Sequence, residues 1–139
     1  MDPWLQHLRH DLLKRALWPA RDLQETLATG DATPGEVRAL RNGLLDLRDE
    51  AGRPITASTL LRSARSDAPA SISADRLDDL QTLVDEAERL VRALDPAAAL
   101  ARDSQQLSIA LRAVLALGPA FDALSPSDVA TPAPQRRKT

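Results

Sequence analysis

Cysteine is absent from the 139 residues, which removes a disulfide framework, a thiol nucleophile and a zinc-ribbon site. Aromatic residues are nearly missing too: two tryptophans, one phenylalanine and no tyrosine, so any core must be aliphatic. Five scattered glycines build no loop that cradles a phosphate. No apolar run approaches a membrane span, and Met-Asp-Pro-Trp opens without the regions of a signal peptide. A net charge of −2 gives no general attraction to nucleic acid or acidic lipid. A soluble cytoplasmic protein is the expectation. Sixteen arginines against two lysines, in a chain dominated by alanine and leucine, fit a GC-rich bacterial genome.

What the chain has is one helical spacing written four times. Leu5, Leu8, Leu12, Ala16, Leu23 and Leu27 form the first series, and Val37, Leu40, Leu44, Leu47 and Ala51 the second. Leu77, Leu80, Val84, Ala87, Val91 and Leu94 follow, then Leu100, Leu107, Leu111, Val114 and Leu117. Steps of three and four residues gather each set on one helix face, which needs an apolar partner. The pattern predicts an all-α bundle of four main amphipathic helices, forming one domain over residues 1–124. Residues 125–139, rich in proline and small residues and ending in Arg136-Arg137-Lys138, read as a disordered tail.

Punctuation sets the expected boundaries. Asp2-Pro3 starts the first helix, which runs to Ala28 with a kink or break near Trp18, because Pro19 removes a backbone hydrogen bond. Thr33-Pro34-Gly35-Glu36 is a capping box for a helix that ends at Gly52. Thr56 or Ser58 caps a short helix through Arg65. Ser73 caps the next, with Ile72 and Leu77 as its hydrophobic staple, and Asp95-Pro96 ends it while starting the last. Gly118-Pro119 closes that one, leaving room for a further turn around Phe121. No strand pattern is visible.

The first helix carries a second line of residues: Trp4, His7, Asp11, Lys14 and Trp18. On an unbroken α-helix this line lies more than about 120° from the leucine stripe. Tryptophan is enriched at binding hot spots, so the line reads as a docking face for another protein or a second copy. The bland reading is that the tryptophans cover the helix flanks within the fold. His10-Asp11, facing away from the core, resembles the phospho-accepting box of histidine kinases and related phosphotransferases. That resemblance implies a phosphoryl group on His10 with the adjacent acid as base. Arg15-Ala16 stands where that box has a polar residue and proline.

Other constellations carry less. His7 with His10 or Asp11 supplies two or three surface ligands, too few for a firm metal site, so no metal and no cofactor is implied. Residues 34–65 also read as a weak helix-turn-helix that would offer Ser58, Thr59, Arg62 and Arg65 to DNA. Residues 67–95 hold eight acids against three arginines, a solvated outer face with Arg89 and Arg92 pairing locally. The expected function is therefore a non-enzymatic adaptor or regulatory subunit.

Overall fold

A computed structural model describes residues 3–49, 51–100 and 105–124. It is an all-α fold, as the spacing predicts. The first helical rod runs without interruption through α1 (Pro3–Leu8), a π-helical segment (Arg9–Leu13) and α2 (Lys14–Thr29). Pro19 does not break it. The π segment answers a mismatch in the sequence. Leu8, Leu12, Ala16 and Ala20 are all buried at four-residue steps, whereas an α-helix turns once in about 3.6. A straight α-helix would drift about 40° at each step. One wide turn, closed by i to i+5 bonds, adds about one residue's rotation and keeps the stripe on the core. Leu27, the last member of the predicted stripe, is instead 37% exposed.

Gly30 ends the rod at φ +81°, with its N–H on the Leu27 carbonyl and that of Asp31 on the Thr26 carbonyl. This is a Schellman close, which favours glycine for its left-handed backbone. The Thr33 capping box then forms in full: Glu36 N–H donates to Thr33 Oγ1, and Thr33 N–H donates to Glu36 Oε1. It starts α3 (Pro34–Leu45), which returns antiparallel along α2, since Gly43 meets Arg15 while Thr26 meets Glu36.

Two expected helices are shorter than their apolar spacing implied. α3 stops at Leu45, not at Gly52, and a small antiparallel hairpin follows. Its strands, β1 (Leu47–Arg48) and β2 (Pro54–Ile55), pair Leu47 with Ile55 and Arg48 with Pro54. Asp49 is the cause. Its carboxylate accepts from the N–H groups of Ala51 and Arg53, and its main chain exchanges bonds with Arg53 and Gly52. Such local bonds compete with a helix, and Gly52 at φ +79° completes the turn. Ala51, placed in the apolar stripe by spacing, is consequently exposed.

The last helix departs in the same way. Asp95 accepts at its side chain from Ala97 and at its carbonyl from Ala98 and Ala99, but only a single turn results. The helix proper is α6 (Gln106–Leu115), followed by α7 (Leu117–Asp122), the further turn expected around Phe121. Between these regions lie α4 (Ala57–Arg65), capped by Thr56, and α5 (Ala74–Arg92). Ser73 makes no side-chain cap bond, although Ile72 and Leu77 of the staple are both buried. The core is aliphatic, with Phe121 fully buried inside it. Among the described residues, no helix is long and apolar enough to cross a membrane. The expectations for Asp2 and for residues 125–139 fall outside the described residues.

Candidate functional site

The line of Trp4, His7, Asp11, Lys14 and Trp18 does not lie on one face, and the π segment is the reason. Counted from the core-facing direction, its extra rotation leaves Trp4 about 50° off the core and Trp18 nearly opposite it. Trp4 is accordingly half-buried and packs against the core, with its indole Nε1 donating to the Ala64 carbonyl at 2.8 Å. That bond ties α1 to the end of α4. Trp18 is 56% exposed, the most exposed large apolar side chain among the described residues.

The two halves border different hollows. Trp4, His7 and Asp11 line a groove of about 570 Å³ with Arg48, Arg53 and Asp67. Its outer wall is the hairpin, braced where Arg53 Nε donates to Asp49 Oδ2 at 2.9 Å. Backbone donation from Arg53 is the main influence on Asp49 and holds its carboxyl below the usual aspartate range. His10, Lys14 and Trp18 border an open cleft of about 390 Å³, shared with Arg15, Pro19 and Asp22. Lys14 Nζ stands 5.3 Å from the Trp18 ring centre, a cation–π contact with a side chain that stays exposed. His10 is exposed and Asp11 half-buried. Among the described residues, no three histidine or acidic side chains converge to hold a metal ion.

The groups offered to DNA in the helix-turn-helix reading are engaged within the chain. Arg62 Nη2 bonds Asp85 Oδ2 at 3.1 Å, and Arg65 pairs with Asp78. Ser58 donates its N–H to Glu88 Oε2 at 2.9 Å and its hydroxyl to Asp85 Oδ1. Gln81 Nε2 reaches the Ser58 carbonyl at 3.2 Å and Asp85 Oδ1 at 3.0 Å. The acidic helix α5 is therefore only partly a solvated face, because one edge of it clamps α4. Arg89 and Arg92 do pair locally, with Glu86 and Glu88. Burial works to raise the Asp85 pKa. The donors Ser58 and Gln81 and the Arg62 charge outweigh it and hold the carboxyl below its ordinary value.

Arg15, Pro19 and Asp22 were not part of the predicted face. The signal was present in the four-residue steps from Leu8 to Ala20, which already demand a change of phase along the rod. The hairpin wall had its own signal in Asp49 and Gly52, residue types favoured at the first and last positions of a turn. No protein-family model, curated protein or solved structure matches the chain.

Proposed function

We propose that this chain is a protein–protein interaction module, an adaptor or regulatory subunit without chemistry of its own, which docks through the Trp18 half of the first rod. The carrying observation is Trp18 itself, 56% exposed on a regular helix. An exposed indole forgoes hydrophobic free energy on the order of 1–3 kcal/mol, and tryptophan leads the residue types that anchor interfaces. Trp4 supports the fold instead, so the docking face is Trp18, Lys14 and His10 with their neighbours Arg15, Pro19 and Asp22. A photoreactive residue at position 18, in cells that make the protein, is expected to yield a discrete adduct. The same residue at Ile109, 49% exposed, serves as the control and is expected to yield none. Equal labelling at both positions, or none at 18, removes the proposal.

One observation favours a second reading. His10 is exposed and sits inside the π segment, a local geometry found often at functional sites. Phosphotransfer through His10 would give an acid-labile phosphoryl group that His10→Gln abolishes with the fold intact. Failure of every phosphodonor in the native extract to label the wild-type chain dismisses it.

A further inference from the structure

The Trp18 face has a pattern that fits one occupant, and we infer that this occupant is a second copy of the same chain. The inference rests on the docking role proposed for Trp18 and names the partner. Arg15 and Asp22 are exposed on α2, both border the cleft beside Trp18, and neither makes an ion pair among the described residues. Arg15 precedes Trp18 by three residues and Asp22 follows it by four. At about 100° per residue, they project to the same side of Trp18, about 60° and about 40° from it.

Two such helices, packed antiparallel about a two-fold axis at Trp18, exchange those positions. The axis reverses direction along the helix and preserves the side. Arg15 of each copy then stands over Asp22 of the other, and both pairs form at once. This is the self-complementarity that a two-fold interface requires. The Trp18 rings of the two copies meet at the centre, where the cleft bordered by Pro19 gives each indole a place to enter.

The opposite flank works against the pairing. Lys14 and Arg21 of the two copies approach with like charge, and Glu25 offsets them only in part. Asp11 and Glu25 lie about 10 Å along the helix from the axis, where a crossing near 50° carries the two helices apart. The Trp18 contact and the Arg15–Asp22 pairs must therefore outweigh this repulsion, and those pairs fix the register. A single helix crossing buries less than a standard interface, so the expected Kd is on the order of 10–100 µM.

Sedimentation of the full chain at low ionic strength, from about 5 µM to about 1 mM, tests this against charge reversals. The wild type is expected to pass from monomer to dimer. Trp18→Ala, Arg15→Asp and Asp22→Arg should each weaken association by about tenfold or more, with helical content and melting temperature unchanged. Mixing Arg15→Asp with Asp22→Arg restores a dimer, because every cross pair is then opposite in sign. The double variant restores it alone. A wild type that stays monomeric throughout overturns the inference, as does a mixture of the two reversals that fails to associate. A monomer whose position 18 still cross-links to a different protein overturns self-docking and leaves the docking role standing. Loss of the cross-link as well removes both.

Discussion

Two helix pairs in this molecule are held by opposite means. α2 meets α3 through Ala16, Ala20, Leu23, Val37, Leu40, Leu44 and bare backbone at Gly43, with Thr26 donating to Glu36 at the rim. α4 meets α5 through Ser58, Gln81, Asp85 and Glu88, and only Ala57 and Leu61 of α4 are buried apolar residues. A short helix with so little apolar surface cannot be held by burial alone. Charge and capping take over, and acids from α5 meet the N–H and hydroxyl of Ser58 where the α4 dipole is positive. The first interface depends on shape and should ignore pH and salt. The second depends on protonation.

The largest effect expected is at Gly43. A Cβ there would lie 2.1 Å from the Arg15 carbonyl oxygen and 3.3 Å from the Ala16 Cα, both backbone atoms that no rotamer change can move. The approach is close for a reason written elsewhere in the chain. Pro19 has no N–H for the carbonyl four residues before it, so the Arg15 oxygen loses its helical donor and faces α3 instead. Gly43→Ala must push α2 and α3 apart and should cost about 3 kcal/mol or more in urea unfolding. A loss under about 1 kcal/mol would show that the interface is not held by shape.

Next in size is Glu88, which is buried and accepts from Ser58 N–H and, at 2.7 Å, from Arg92. Glu88→Ala strands the Ser58 N–H and should cost about 2 kcal/mol. Glu88→Gln keeps an acceptor there and should lose less. Equal losses from the two substitutions would mean that Glu88 contributes packing and not capping.

How much of this was legible follows from the range of each signal. The Thr33 box and the Gly30 stop each depend on a few adjacent residues, and both are found in the structure as read. The turn at Asp49 is equally local but lies inside an apolar period, and Leu47 continues that period while belonging to a strand. Periodicity alone therefore extended α3 too far. The Trp4 and Trp18 faces depend on accumulated rotation, so an extra turn at Arg9–Leu13 moves every later residue. The clamp on α4 depends on residues 23 to 30 apart in sequence, beyond any local pattern.

A smaller effect separates the two interfaces by pH. The folded-state pKa of Asp85 is lowered, so its contribution is fully present above the ordinary aspartate value of about 3.9 and fades as pH falls through the lower folded value. Stability should therefore drop on acidification in the wild type, and Asp85→Asn should flatten that limb while lowering stability at neutral pH. An acid limb identical in wild type and variant would assign the pH dependence to other carboxylates.

The smallest effect expected is at Arg89, and it tests whether charge matters by position or by number. Arg89 pairs with Glu86 one turn away on the same helix, and this carboxylate raises the Arg89 pKa by hydrogen bonding and attraction. Both side chains are open to water, at 67% and 49% exposure, and their hydrogen bonds are to each other. Water and salt screen such a pair, and holding two long side chains together costs entropy. Arg89→Ala should change stability by less than about 0.5 kcal/mol, at low salt and high salt alike. Arg62→Ala removes an arginine of similar exposure, but one whose partner, Asp85, also bonds Ser58 and Gln81. It should cost more, and the excess should shrink as salt is added. If the two substitutions proved equal, α4 would be held by its few apolar contacts, and the contrast between the interfaces would reduce to the packing at Gly43.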